Sequence, residues 1–209
     1  MTTKSFIQPE EIIHLSGISW QTYETLLDEL SKNRRLRLTY NRGNLEILAP
    51  SPEHERYKTL MGRFVETIAE ELEIRIEPFG STTYKYPQLS GAEPDESFYL
   101  KNIDIIRGKK RSDLQQDPPP DLAVEIDITS SSENRLQIYS DIGIAEIWRY
   151  DGEDFSIYIL QDQEYVKTEQ SSAFPNLPLL EIVQFLEQVG EKDYLELVKE
   201  FRQWLRNRK

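Results

Sequence analysis

The sequence predicts an α/β protein (α+β) in which helices flank a central mixed β-sheet, with further helices at the C-terminal end. Three features predict this fold: early stripes of apolar residues at helical spacing, two hairpin-like pairs of short apolar runs, and a strand–helix–strand pattern between them. The 209 residues suit a single domain spanning 1–209. We expect its core over about 19–170 and a helical appendage over about 179–208.

The composition narrows the class of protein. The chain has no cysteine, which excludes disulfides, zinc–thiolate sites and thiol catalysis, and which fits a reducing compartment. The N-terminal residues lack the apolar stretch of a secretion signal, and no run of 18 apolar residues follows. We therefore expect a cytoplasmic protein with no membrane partner.

The charge bears on nucleic-acid binding. With 37 acidic and 25 basic side chains, the formal net charge is −12. An even spread of that charge would repel a phosphate backbone, so it counts against a strong non-specific nucleic-acid binder. A dimer with a locally basic cleft stays open, because the field in a cleft depends on where the charges lie.

The first half of the chain gives clear start signals. Ser19 can cap a first helix, whose apolar residues recur every three or four positions. Residues 36–40 and 45–48 alternate in polarity around an Asn-Arg-Gly-Asn turn, as a β-hairpin does. Ser51, followed by proline, is typical of a helix N-terminus, and this second helix is predicted to run to about Glu73.

The second half is predicted from shorter signals. Three runs rich in β-forming residues come first, at 74–77, 82–86 and 96–100. The stretch 121–128 is predicted as a strand, and serines 130–132 can cap a helix that ends at Ile142. A second hairpin and two helices then close the chain, at 145–151, 155–160, 179–189 and 193–208.

The strand at 121–128 carries the most chemical information. Because side chains alternate across a strand, its apolar residues share one face, while Asp121, Glu125 and Asp127 share the other. Successive carboxylates on that face would lie ~7 Å apart. An edge strand with a solvated acidic face would explain the pattern. A buried strand would instead need a cation to keep the carboxylates ionised.

A second acidic candidate lies 30 residues earlier. Asp95 follows a proline and opens a run of β-forming residues, which puts its carboxylate at the start of a strand. Oxygen ligands of this kind suit a hard divalent ion, Mg²⁺ or Mn²⁺. The residues therefore favour a metal-assisted hydrolase, with Asp95 and Glu125 as the metal ligands.

The wider context resembles a known family. The segments GNLEILAPSPEH, EPDESFY and PPPDLAVEIDITSSSENRLQIYSDIGIAEIWRYD are similar to the Uma-type restriction endonucleases, a family abundant in cyanobacteria and formerly a domain of unknown function. The likeness spans about residues 20–160. It implies the PD-(D/E)XK nuclease superfamily, with its restriction-endonuclease-like central sheet and a divalent metal held by Asp95 and Glu125.

The chain departs from the family pattern at the third motif position. Where a lysine is usual two residues after the glutamate, this chain has Asp127. Many family members place a lysine on the following helix instead, and here that position holds Arg135, four residues before Tyr139. Arginine can stabilise a developing negative charge, but it cannot act as a general base because it keeps its proton.

The second helix supplies two further candidates. Related nucleases often bring an acidic residue from that helix to the metal, which makes Glu53 and its neighbour His54 candidate site residues. A structural explanation is equally open: Glu53 would complement the helix dipole, and His54 would be a capping or surface residue. Trp148 and Leu122 are expected in the core.

Two principal hypotheses follow, from different classes. The first is a homodimeric Mg²⁺- or Mn²⁺-dependent DNA endonuclease, in which Asp127 or Glu53 completes the metal sphere and Arg135 offsets transition-state charge. The second is a catalytically silent nuclease fold that serves as a dimeric interaction module, favoured by the acidic balance and the missing lysine. A glycosidase built on the paired carboxylates is a third, for which the sequence offers no sugar-binding aromatics beside the acids.

Overall fold

The computed structural model describes residues 11–30, 36–128 and 133–208, except for the side chains of Glu133 and Asn134. Its strands form two sheets, whereas the sequence predicted one. The first sheet is antiparallel, in the order β1 (Glu11–Ser16), β3 (Asn44–Ala49), β2 (Arg37–Asn41), β6 (Ser90–Ala92) and β5 (Tyr84–Tyr86). The second is mixed, in the order β11 (Glu164–Thr168), β10 (Phe155–Gln161), β9 (Glu146–Tyr150), β8 (Leu122–Ile126), β7 (Glu96–Tyr99) and β4 (Glu77–Pro78).

The mixed character of the six-stranded sheet comes from its centre. Strands β8 and β9 run parallel, and the crossover between them contains a helix, as a parallel connection needs. The other paired strands of this sheet are antiparallel. The predicted class, a mixed sheet flanked by helices, is therefore confirmed.

The helices lie between and beside the sheets. They are α1 (Trp20–Leu30), α2 (Pro52–Leu72), α3 (Ile103–Ile106), α4 (Glu133–Ile142), α5 (Val183–Leu186) and α6 (Tyr194–Arg206), with a 3₁₀ turn at Leu179–Ile182 before α5. No helix in the described ranges is long and apolar enough to cross a membrane.

The predicted helix starts are confirmed by their caps. The Ser19 hydroxyl accepts the backbone N–H of Thr22 at 3.1 Å, and the Ser51 hydroxyl accepts that of His54 at 3.1 Å. Serines 130–132, predicted to cap α4, lie outside the described residues. The predicted helix at 179–189 is instead two short turns, and β1, β6 and β11 had no prediction, since each is short or lacks clear alternation.

The main core lies on one face of the six-stranded sheet. Helix α2 packs there against β8, and α6 packs against α2. Leu122 and Trp148 are both fully buried in this core, which confirms their predicted positions. Helix α4 contributes to a second cluster with Ala123 and Ile147, whose side chains alternate with those facing α2.

The basic C-terminal helix is fixed to acidic partners. Arg202 and Arg206 pair with Glu71 near the end of α2 at 2.8 Å and 2.9 Å. The Arg208 guanidinium lies 4.6 Å from the centre of the Trp204 ring. The ion pairs of Arg202 and Arg206 therefore tie α6 to the acidic end of α2.

Candidate active site

Asp95 lies immediately before β7 and is fully buried. Its Oδ2 accepts the backbone N–H of Ile126 at 2.6 Å, which fixes the carboxylate beside the neighbouring strand β8. Its Oδ1 lies 2.7 Å from His54 Nε2 and is also paired with the Arg37 guanidinium. One buried carboxylate therefore joins β7, β8, α2 and β2.

Glu125, on β8, is the second buried carboxylate. Arg135 Nη1 donates to its Oε2 at 2.6 Å, and the hydroxyl of Tyr139 donates to its Oε1. Arg135 and Tyr139 are four residues apart, so α4 presents both on one face. The pKa of Glu125 is raised to about 6, and burial is the largest cause. Arg135 and the Tyr139 hydroxyl act to lower this pKa, and the charge of Asp127 acts to raise it.

Arg135 is itself buried, with 3% of its surface exposed. Its Nη2 lies 3.4 Å from Glu46 Oε1 on β3, so the guanidinium bridges the two sheets. Burial works against its charge, but the surrounding acids, led by Glu125, leave the pKa of Arg135 above its ordinary value. The side chain therefore stays protonated and can serve as a donor and a counter-charge, not as a general base.

A third pair completes the arrangement. Asp127, just after β8, is buried and accepts a hydrogen bond from Arg149 Nε on β9. Each of the three acids is thus matched by its own arginine: Asp95 by Arg37, Glu125 by Arg135 and Asp127 by Arg149. These arginines supply the positive charge that buried carboxylates require.

The contacts of Asp121 show that the predicted face of three carboxylates is wrong. Its Oδ2 accepts the backbone N–H groups of Leu100 at 2.7 Å and Lys101 at 2.9 Å. It therefore caps the chain at the end of β7 and does not belong with Glu125 and Asp127. The strand begins one residue later than predicted, so alternation along it does not govern the orientation of Asp121.

The two candidates on α2 have different surroundings. The His54 side chain is fully buried against Asp95, so it is not a surface residue. Glu53 is partly exposed, and its charge acts on Tyr57, whose pKa is raised first by burial and then by Glu53. Among the described residues, no hydrogen bond or ion pair joins Glu53 to Asp95 or Glu125. A role for it at the site stays a prediction.

The carboxylate oxygens of the site are ligands that suit a hard divalent ion. Within the described ranges, no three or more His, Cys, Asp or Glu side chains form a group that could hold a metal. Mg²⁺, however, is often held by one or two carboxylates together with water and substrate phosphate. Because each carboxylate oxygen has two lone pairs, Asp95 Oδ2 and both Glu125 oxygens can each accept beyond their one protein donor.

Sequence reasoning missed Arg37, Glu46 and Arg149 as members of this network. Arg37 and Glu46 are the charged residues of the two strands of the first hairpin, each between apolar neighbours. Arg37 pairs with Leu48 and Glu46 with Thr39 in the hairpin ladder, so both point to the same face. That shared face could have indicated a polar site beneath the hairpin. The contacts of Arg37 with Asp95 and of Glu46 with Arg135 could not be predicted, since they join distant parts of the chain.

A protein-family model matches most of this chain. The family model described as "Putative restriction endonuclease", Uma2, matches residues 20–189. A crystal structure of a putative nuclease of DUF820 from Anabaena variabilis ATCC 29413 is 14% identical with a TM-score of 0.46, over 78% of this chain and 90% of that one. The type IIG restriction endonuclease BpuSI is 15% identical with a TM-score of 0.38, over 70% of this chain and 16% of that one. No curated protein matches the chain. Since the family model covers well over half of its length, the chain belongs to the Uma2 family of putative restriction endonucleases.

Proposed function

We propose that the protein is a cytoplasmic, homodimeric endonuclease that hydrolyses DNA phosphodiester bonds with Mg²⁺ or Mn²⁺. The observation that carries this proposal is the pair of fully buried carboxylates, Asp95 and Glu125: Asp95 binds the backbone N–H of Ile126, the residue that follows Glu125 on β8. Buried acids in a polar network at a strand end are typical of a catalytic centre. Family membership supports nuclease chemistry independently of this geometry.

Asp95 and Glu125 would hold the ion in this proposal. When bound, a divalent ion lowers the pKa of a water ligand and polarises the scissile phosphate. His54 and the Ile126 N–H orient the Asp95 carboxylate, so that its oxygens cannot rotate freely. Arg135, fixed by Glu125 and Glu46, would offset the negative charge on the phosphate oxygens in the transition state.

In this proposal an acidic side chain positions the attacking water. Arg135 keeps its proton, so it cannot accept one from water. Asp127 lies beside Glu125 on the same strand end and Glu53 lies on the first turn of α2, and either could orient the water. Asp127 has the stronger support, because it is buried and its charge acts on Glu125.

Plasmid nicking tests the proposal. Supercoiled DNA should be nicked by the wild type with Mn²⁺ and not with EDTA, and Glu125→Gln should lose at least ~10²-fold. Asp121→Asn is the matched control: an acid of the same segment that binds backbone N–H groups outside the site. A Glu125→Gln protein that nicks as fast as wild type would refute the assignment.

One observation favours the second candidate, a silent nuclease fold that acts as a dimeric interaction module. Every oxygen of Asp95 and Glu125 already accepts from a protein donor, so the network is stable without a metal. If the folded wild type neither nicks DNA nor binds Mn²⁺, this candidate replaces the first.

A further inference from the structure

The edges of the two sheets differ in how they are protected. Strand β4 has two residues, one of them Pro78, and β5 has three and is followed by Pro87. Strand β11 carries the charged residues Glu164 and Lys167. Short length, proline and charge are the usual means of preventing edge-to-edge pairing. Strand β1 has six residues with neither lysine nor proline, and its single acid, Glu11, is at its first position.

The side chains of β1 extend an incompletely covered apolar face. Ile13 and Leu15 are 55% and 39% exposed. They lie opposite Ile47 and Leu45 of β3, and so belong to the face of the sheet on which α1 packs. Only one residue of α1 is fully buried there, whereas four others are partly buried: Trp20, Leu26, Leu27 and Leu30. This layer therefore ends at β1 with apolar surface still exposed.

We propose that β1 pairs antiparallel with β1 of a second copy of this chain, joining the two five-stranded sheets into one of ten strands. This inference rests on the homodimer of the proposed function and names its surface. The pairing is centred on His14, which lies opposite the partner's His14. Ile13 then faces the partner's Leu15 on the α1 side of the sheet, and the same contact recurs across the twofold axis.

A second copy fits this edge better than an unrelated strand because the edge is complementary to itself. An antiparallel pair about a twofold axis repeats each contact, so the two apolar residues of one copy meet the two of the other. Glu11 falls opposite the partner's Gly17, which avoids facing carboxylates despite a net charge of −12 per chain. The ladder also satisfies the outward backbone groups of β1, which in the described residues pairs with β3 alone.

The dimer has a consequence for the site. Glu46, which holds Arg135, lies opposite His14 in the β1–β3 ladder. A twofold axis perpendicular to the sheet puts the two Glu46 side chains on the same face. Three interstrand spacings of ~4.8 Å then separate their backbones by roughly 14 Å. Both sites would then lie on the same side of the joined sheet, an arrangement that suits an enzyme acting on both strands of a duplex.

The absence of cysteine makes the test direct. In His14→Cys the only thiols face each other across the axis, at the ~4.5–5.5 Å Cα separation of opposed residues, within reach of a disulfide. Val166→Cys, at a 45%-exposed position on β11, is the matched control. We expect mild oxidation to link His14→Cys into a covalent dimer at a protein concentration at which Val166→Cys is not cross-linked.

Sedimentation of the full chain is the second test of the dimer. Wild type should sediment as a dimer, and Ile13→Lys/Leu15→Lys as a folded monomer, with circular dichroism confirming the fold. A monomeric wild type, a dimer that persists in the double variant, or equal cross-linking at both cysteines would overturn the inference. Nicking is read separately: an inactive β1-linked dimer contradicts the nuclease activity alone, and an active monomer contradicts the dimer and its surface but leaves the nuclease activity standing.

Discussion

Arg135 Nη1 lies 2.6 Å from Glu125 Oε2, and both side chains are buried. Arg135 is therefore the counter-charge of the acid proposed to hold the metal. Glu46 holds the same guanidinium from the other sheet. A change at this position should affect both the stability of the fold and the chemistry of the site.

Replacing Arg135 should separate these two effects. Arg135→Ala leaves Glu125 buried without its counter-charge, so the free energy of unfolding should fall by ~3–5 kcal/mol. Arg135→Lys keeps a cation and should lose less. At a temperature where each variant is folded, Mn²⁺-dependent nicking should fall by roughly 10²–10³-fold in the alanine variant and be kept or increased in the lysine variant. Urea unfolding and plasmid nicking provide the two readings.

Two outcomes would contradict this prediction. An Arg135→Ala protein as stable as wild type would mean that the buried pair with Glu125 does not form. Unchanged nicking in a folded Arg135→Ala protein would put the guanidinium outside the reaction and leave Asp127 or Glu53 to position water.

Stability should depend on pH through the buried acids. Burial raises the pKa of Glu125 to about 6, and burial also raises the pKa of Glu93 and Glu96. An acid with a raised pKa in the folded state binds its proton more tightly there, so its contribution to stability is full below the ordinary value and is lost as the pH rises past 6. For Glu125, the free energy of unfolding in EDTA should be roughly 1 kcal/mol higher at pH 5 than at pH 7.

Glu125→Gln is the control, since it removes the titrating group and should flatten this part of the profile. Acids whose pKa is lowered, such as Asp117, lose their contribution only at more acidic pH, outside the range compared. A wild-type profile that rises steadily from pH 5 to pH 7 would contradict the prediction.

Glu146 should be a major structural anchor. This fully buried carboxylate on β9 accepts from Trp148 Nε1 at 2.6 Å and from the backbone N–H groups of Ser172 at 2.7 Å and Ala173 at 3.0 Å. Glu146→Ala would leave the buried Trp148 indole N–H unsatisfied, at ~1–3 kcal/mol, and would remove two charge-assisted bonds from the Ser172 and Ala173 N–H groups, so unfolding should become easier by ~3 kcal/mol or more. Glu164→Ala, at an exposed position on β11, should change stability by less than ~0.5 kcal/mol. Equal stability of the two variants would contradict this role.

The two acids and their strands could be predicted because their signals are local. Ser51 and the following proline mark the start of α2, and the apolar run around Glu125 marks β8. The structure brings Asp95 beside β8 as expected, through its bond to the Ile126 N–H. These features depend on alternation, capping and turn residues within a few positions of one another.

The charge partners could not be predicted in the same way. Arg37 reaches Asp95 across 58 positions of sequence, and Glu46 reaches Arg135 across 89. Such pairs depend on how the two sheets pack, which no local pattern records. The prediction for Asp121 was wrong for a different reason. Asp121 lies at a strand end, where a side chain can turn to bind backbone N–H groups.

Thermal unfolding with Mn²⁺ tests the central claim, that Asp95 and Glu125 form the metal site, most directly. A ligand that binds only the folded protein stabilises it by ~2.7 kcal/mol at 100 times its Kd, which for a chain of this size raises Tm by roughly 5–10 °C. Wild type and the Asp121→Asn control should show this rise, and Asp95→Asn/Glu125→Gln should show none, each compared with its own Tm in EDTA. An equal rise in the double variant, or no rise in the wild type, would contradict the account.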